Sequence, residues 1–358
     1  MKVGIITVHS VPNYGAVLQA YALANHLRST GVEAETVDYR QPGLEAMYRM
    51  RWKFPPAINH WLRLRRNDAF VEKRLTLSAG RYHSVEEFLP AIKDYDAFIT
   101  GSDQVWFTGP VQYFDPMYFL DFPAPGKKKI SYAASAGGTT DFGEFAPRVR
   151  AALASYDHIG VRDSHTAQLV TPLAPHVPTQ VVDPVFLCDF ADLLTEPPPV
   201  TEPYLLVFGD FSGKLDPALR AIIAATGLKT VVSLQYPCPA ATRRLASPSP
   251  TQWLSCFKHA AFVVTSYFHG AAIAAKFSRP FISIPTPGRR IKVATMLDWM
   301  GLRHRCFLED PTPAACAALA RASLDWPGAQ QRIAERTAHS KAFLATALSS
   351  LTRVEVTS

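Results

Sequence analysis

The chain has 358 residues, 48% of them hydrophobic and 19% charged, a balance that supports a packed core and excludes a disordered chain. At this length a single core rarely keeps growing, so two domains are expected. A net charge of +7 favours anionic partners, but the longest cationic run is only Lys127, Lys128 and Lys129, with no interleaved aromatics, which argues against nucleic acid.

Met1 to Val8 reads as a buried parallel strand through Val3, Ile5, Ile6 and Val8. Its apolar run is too short for a signal peptide, and no other stretch is long and apolar enough to span a membrane. A cytoplasmic protein is expected, with peripheral membrane association left open. After a polar loop from His9 to Asn13, a helical pattern runs from Ala16 to Leu27 and a strand from Val32 to Tyr39, giving β-α-β with a parallel crossover. Pro42 to Gly80 is rich in Arg, Trp and Tyr with weak periodicity and reads as an insertion of irregular helices. Short strands follow at Ala97 to Thr100, ending at Gly101, and at Lys129 to Ser135, ending at Gly137 and Gly138. A helix from Phe145 to Tyr156 and strands at His158 to Arg162 and Gln180 to Val182 complete a first doubly wound domain, residues 1–195.

Pro184 to Pro203 is proline-heavy, and proline continues neither a helix nor a ladder, so the domain boundary is placed there. Beyond it Tyr204 to Phe208, Lys229 to Leu234, Phe262 to Thr265 and Phe281 to Ile284 are β-like runs separated by helical stretches. They make a second α/β domain over residues 200–328, and a final helix from Gln330 to Leu351, within a segment 329–352, is expected to pack back on the first domain. The fold class is α/β with two Rossmann-like domains.

Candidate chemistry gathers at strand ends. Val263 to Gly270 runs from a buried strand through Thr265-Ser266-Tyr267-Phe268 to His269, which sits at a helix N-terminus on the carboxyl edge of a parallel sheet. Ligands bind at that edge in such sheets, and free backbone N–H groups there favour phosphate or carboxylate. A histidine hydrogen-bonded in a core turn is the alternative. Arg289, Arg290 and Lys292 follow in the next βα loop, where a guanidinium can pair bidentately with an anion or simply stay exposed. Arg162 directly follows a strand in the first domain, and either faces a ligand or pairs locally with Asp163. Ser102, Asp103, Gln104 and Trp106 follow the strand ending at Gly101, and carboxylate, amide and aromatic groups together suit a sugar's hydroxyls and ring face. Asn13 and Tyr14, before the first helix, join them as the acceptor-binding set, although Ser102 and Asp103 also read as an ordinary helix cap. Gly137-Gly138 either let a ligand approach the backbone or make a tight turn.

Several classes are excluded by what these loops lack. The first βα turn has no GxGxxG and there is no P-loop, so no nucleotide cofactor is expected. Cys256 and His259 are three apart, but no second pair completes a metal site, and no GxSxG elbow marks a serine hydrolase. Five cysteines without a CxxC spacing argue against a disulfide framework and imply a reducing compartment.

The ordered segments Asn13-Tyr14-Gly15-Ala16-Val17-Leu18-Gln19-Ala20-Tyr21-Ala22-Leu23, Gly101-Ser102-Asp103-Gln104-Val105-Trp106 and Lys129-Ile130-Ser131-Tyr132-Ala133-Ala134-Ser135 resemble the bacterial polysaccharide pyruvyltransferase family. Val161-Arg162-Asp163, Val182-Asp183-Pro184 and Thr265-Ser266-Tyr267-Phe268-His269-Gly270 continue the resemblance in order, with Arg290-Ile291 and Met296-Leu297 after them. The resemblance implies a fold similar to the glycosyltransferase B class, with an active site in the interdomain cleft. It implies ketal transfer of pyruvate from phosphoenolpyruvate to two hydroxyls of one sugar in a cell-envelope or exported polysaccharide, on a free or lipid-linked acceptor, with release of phosphate and no separate cofactor. By similarity Arg162, His269 and an arginine of Arg289-Arg290 hold the donor. His269, or a water it orients, would protonate the donor's C3, and Asp103 is the candidate general base. Many members of the family carry Arg-Leu-His where this chain has Tyr267-Phe268-His269, so one donor guanidinium is either missing or supplied from another position. Two rivals remain at this stage: a glycosyltransferase using a nucleotide sugar, with Asp210 as the nearby carboxylate for the ribose, and a non-catalytic carbohydrate-binding homologue.

Overall fold

The computed structural model describes residues 1–50, 57–109 and 113–349. Residues 51–56 of the Arg/Trp/Tyr-rich segment and 350–351 of the expected last helix lie outside the described residues. The chain forms two compact units: Met1–Ala57 with Asn67–Asp189 and the residues from Glu335 onward, and Ile58–Arg66 with Phe190–Ala334. It passes between them at residues 57–58, 66–67, 189–190 and 334–335, the third of these inside the proline-rich segment.

The first unit is built on seven strands: β1 (Lys2–Ile6), β2 (Glu33–Tyr39), β3 (Leu77–Tyr82), β4 (Ala97–Thr100), β5 (Lys128–Ala134), β6 (His158–Val161) and β7 (Thr179–Gln180). All are parallel, in the order β3-β2-β1-β4-β5-β6-β7. The central strands are buried on both faces, which is why they read as continuous apolar runs in the sequence. The core continues through an aromatic cluster of Phe88, Phe98, Trp106, Phe119 and Phe122.

The second unit has five strands: β8 (Tyr204–Phe208), β9 (Thr230–Leu234), β10 (Arg243–Leu245), β11 (Phe262–Thr265) and β12 (Phe281–Ser283). They are again all parallel, in the order β10-β9-β8-β11-β12. Leu205, Val207, Phe211, Leu219, Val231, Val264 and Ile282 belong to its core.

Each unit therefore has the Rossmann-like strand order, in which the first strand lies beside the fourth and the chain winds outward in both directions. The strand order reverses between β1 and β4 in one unit and between β8 and β11 in the other, and the crevice past the carboxyl ends of such a pair is where ligands bind in doubly wound sheets.

The segment 42–80 differs from the expected irregular insertion. It contains regular helices at Pro42–Met50 and Ala57–Arg74 and then the edge strand β3. The helix Ala57–Arg74 has its buried positions on one face, at His60, Asn67, Phe70 and Val71, and half of the residues between are charged. The last helix runs Trp326–Ser349.

Candidate functional site

In the first unit, register places Ile6 opposite Thr100, so the loops after β1 and β4 leave the sheet side by side. Gly101 has φ +108, and a Cβ there would lie 2.2 Å from the Tyr132 carbonyl oxygen, so only glycine fits the turn. The Gly101–Ser102 peptide is cis, and Asp103 follows at φ +70, a conformation Asp adopts more readily than most residues. Buried Gln19 holds this turn from the first helix: its Oε1 accepts from the Ser102 amide at 3.1 Å, and its Nε2 donates to Thr7 Oγ1 at 2.9 Å and the Ala16 carbonyl at 2.8 Å. Thr7 Oγ1 in turn donates to the Ser102 carbonyl at 3.1 Å.

Arg162 lies beneath this loop. Its Nη1 donates to Asp183 Oδ2 at 2.9 Å and stands 3.6 Å from Asp103 Oδ1, with the Arg162 and Asp183 side chains 2% and 1% exposed. Burial opposes the guanidinium's charge, and Asp103, Asp183 and Asp163 outweigh it and raise its pKa. Its partners are thus two carboxylates of its own unit, beyond the local pairing with Asp163 that the sequence offered. Asp163 instead caps the next helix, accepting from the Thr166 amide at 2.8 Å and from Ser135 Oγ at 2.7 Å.

Three members of the expected acceptor set are enclosed by their surroundings. Trp106 is fully enclosed; it stacks on Phe119 and donates from Nε1 to the Tyr118 carbonyl at 3.2 Å, so its ring face meets core and no sugar. Ser102 and Tyr14 are likewise buried. Asn13 is exposed, and its Oδ1 caps the first helix through the Gly15 amide at 3.1 Å. Gln104 is half-buried, and a Cβ on Gly137 would lie 2.4 Å from its Oε1, so the room left by that glycine is taken by the Gln104 amide. Asp103, with its side chain 12% exposed, is the carboxylate that this edge presents.

In the second unit β11 pairs β8 on one side and β12 on the other, so the loops at 209–212, 266–268 and 284–289 are neighbours. Helix Phe268–Lys276 starts immediately after Tyr267, which places His269 in its first turn. The Tyr267 side chain makes no cap hydrogen bond to this helix, and a helix N-terminus favours anions. Close packing fixes the entry: a Cβ on Gly270 would lie 2.2 Å from Thr265 Oγ1, and Thr265 Oγ1 donates to the Phe208 carbonyl at 2.9 Å. His269 is largely buried.

Tyr267 packs between Phe208, at 4.8 Å between ring centroids, and Tyr236, at 5.8 Å and nearly parallel, with the two tyrosine hydroxyls hydrogen-bonded. The Arg289 guanidinium lies 4.5 Å over the Tyr267 ring, and its Nη1 donates to Thr286 Oγ1 at 3.2 Å. Burial and the neighbouring Tyr267 raise the Tyr236 phenol, against the opposing charges of Arg63 and Arg289. Arg290 differs from its neighbour: its Nη2 pairs with Asp310 Oδ1 at 2.8 Å, and Asp310 also takes Lys214 at 2.7 Å. Lys292 is buried. Asp210, the carboxylate of the nucleotide-sugar rival, is exposed and accepts from its own loop, from the Ser212 amide at 3.1 Å and Ser212 Oγ at 2.7 Å.

The sequence reading missed Gln19 and Tyr236. A glutamine inside the apolar run Ala16 to Leu23, and a tyrosine two residues past a strand end, were the signals. Among the described residues no group of three or more His, Cys, Asp or Glu side chains converges as a metal site. None of the five cysteines is in a disulfide.

Comparison with known proteins adds a family and a fold. The sequence profile of the polysaccharide pyruvyl transferases matches residues 13–287. No curated protein matches the chain. Among solved structures, the UDP-GlcNAc 2-epimerase from Neisseria meningitidis bound to UDP-GlcNAc is similar over 98% of this chain and 100% of that one, at 8% identity and TM-score 0.55. A spinosyn forosaminyltransferase is similar over 98% and 99% of the two chains, at 11% identity and TM-score 0.52. These likenesses are to the two-domain fold of glycosyltransferase B enzymes and such epimerases, as expected from the sequence.

Proposed function

This chain belongs to the polysaccharide pyruvyl transferase family, and on that premise we propose that it moves pyruvate from phosphoenolpyruvate onto two hydroxyls of one sugar, forming a ketal and releasing phosphate. The observation that carries the reading is the Arg289 guanidinium over Tyr267, the residue immediately before the helix whose first turn holds His269. Where many family members have an arginine, this chain has Tyr267, and Arg289 brings a guanidinium to that place from the next βα loop. A planar guanidinium and a helix N-terminus suit a donor with one carboxylate and one phosphate.

In this reading His269, or a water it orients, gives a proton to C3 of the enol ester, and C2 gains oxocarbenium character. One sugar hydroxyl attacks C2 and loses its proton, with Asp103 as acceptor. The bond between C2 and the phosphate oxygen then breaks, a second hydroxyl closes the ketal, and its proton leaves with the phosphate side. Acid-base help of this kind contributes about 10² to 10⁴ in rate. Arg162, buried between Asp183 and Asp103, positions the Asp103 carboxylate. Arg290, paired with Asp310, positions the loop that carries Arg289.

The acceptor is a sugar of a cell-envelope or exported polysaccharide, carried as a lipid-linked oligosaccharide and met at the cytoplasmic face of the membrane. Among the described residues no helix is long and apolar enough to cross a membrane, so association there would be peripheral. The test is phosphate release from phosphoenolpyruvate on addition of lipid-linked oligosaccharides, with the acid-labile ketal read by mass spectrometry. Phosphate release coupled to a gain of pyruvate by the glycan supports the reading; transfer from a nucleotide sugar instead rejects it.

A further inference from the structure

Charge along this chain is strongly uneven. Residues 40–66 hold Arg40, Arg49, Arg51, Lys53, Arg63, Arg65 and Arg66 against one acidic residue, Glu45, a net of +6 where the whole chain carries +7. The last nine of these residues, Ile58–Arg66, belong to the second unit and begin the helix Ala57–Arg74.

That stretch has two different faces. His60 is buried, and Arg63 donates to its Nδ1 at 3.2 Å while its charge acts on the Tyr236 phenol beside Tyr267. Ile58, Trp61 and Arg65, at helical spacing, point the other way. Ile58 is 68% and Trp61 39% exposed, and the Arg65 guanidinium sits 5.5 Å over the Trp61 ring, with Leu62 half-buried next to them and Arg66 turned to donate to the Ser247 carbonyl. Large apolar side chains on a folded surface cost solubility unless they meet a partner, and a cationic rim around them selects an anionic one.

We propose that this helix face docks the protein on an anionic phospholipid bilayer, with Ile58 and Trp61 entering the headgroup boundary and Arg65 meeting a lipid phosphate. A basic polar side with Trp and aliphatic residues beside it is the pattern of an interfacial helix. Tryptophan favours the depth where its ring is apolar and its N–H stays wet. A soluble polyanion would account for the arginines and leave the exposed Ile58 and Trp61 unexplained. The same nine residues belong to the unit that carries Tyr236, Tyr267 and His269, so docking would bring the unit with the candidate donor site to the lipid surface. The proposal deepens the membrane side of the function above and rests on it only for its purpose, because bilayer binding is measured without donor or acceptor.

The test is co-sedimentation of the full chain with vesicles of phosphatidylcholine alone and with about 30% phosphatidylglycerol. The proposal expects sedimentation with the anionic vesicles only. It expects loss of about tenfold in partitioning for Ile58→Ser/Trp61→Ser, and a similar loss for Arg65→Glu. All three substituted positions are on the surface, and unchanged melting temperatures of the variants exclude misfolding. No binding to anionic vesicles, or binding that heparin abolishes and that Ile58→Ser/Trp61→Ser leaves unchanged, overturns it. Either result leaves phosphate release in solution, and hence the pyruvyl transfer reading, to be judged separately.

Discussion

The Arg289 guanidinium lies 4.5 Å over the ring of Tyr267, although the two residues are 22 positions apart and sit in successive βα loops. Neighbouring Arg290 is turned to Asp310 instead. Arg289→Ala is therefore expected to raise KM for phosphoenolpyruvate by about tenfold or more, the worth of charge-assisted hydrogen bonds to an anion. Arg290→Ala should change it less. Steady-state kinetics on both variants checks this, and equal effects would show that the pairing with Asp310 does not separate their roles.

Asp103→Asn tests the proton acceptor with little disturbance of the turn, because asparagine also tolerates the positive φ at this position. Turnover should fall by about 10² to 10⁴ with KM for the donor nearly unchanged. A variant with close to native turnover removes Asp103 from the chemistry.

Gly101→Ala introduces a Cβ 2.2 Å from a backbone oxygen at φ +108, where no flexible side chain can give way. Destabilisation of about 3 kcal/mol is expected, read as a lowered midpoint in urea. Gly126→Ala, at φ +71 with nothing near its Cβ, is the control and should cost less.

How much of this was legible beforehand depended on where a residue's partners lie. Strands β1, β4, β8 and β11 are nearly continuous apolar runs and were placed to within a residue or two. Edge strands β3 and β10 were missed, since Leu77-Ser78-Ala79-Gly80-Arg81-Tyr82 and Arg243-Arg244-Leu245 carry exposed polar residues and take their pairing from a neighbour. Arg289 and Arg290 look alike in sequence, and what tells them apart is Asp310, 20 residues on. Trp106 at a strand end looked like a sugar platform, but Phe119 and Tyr156 close over it, and no local pattern announces that.

The pH dependence of stability should carry the mark of Asp38. Its carboxylate is buried, which by itself would raise its pKa, but hydrogen bonds from His9 at 3.1 Å, Arg40 at 2.5 Å and Arg81 at 2.9 Å outweigh that and hold it well below the usual carboxylate range. A folded pKa below the unfolded one means that the contribution is fully present above about pH 4 and fades as pH falls below it. Asp38→Asn should lose about 3 kcal/mol at pH 7, and its deficit should shrink steadily at lower pH. Denaturant midpoints of both proteins across that range check it; a constant deficit would assign the cost to packing.

The most direct measurement is a thermal-shift titration of the full chain with phosphoenolpyruvate and, separately, with UDP-sugars, repeated on His269→Ala and Arg289→Ala. Donor bound at the β11 and β12 loops predicts a melting temperature that rises with phosphoenolpyruvate in the native protein and stays flat in both variants. A rise with UDP-sugars alone, or a phosphoenolpyruvate response that both variants retain, contradicts it.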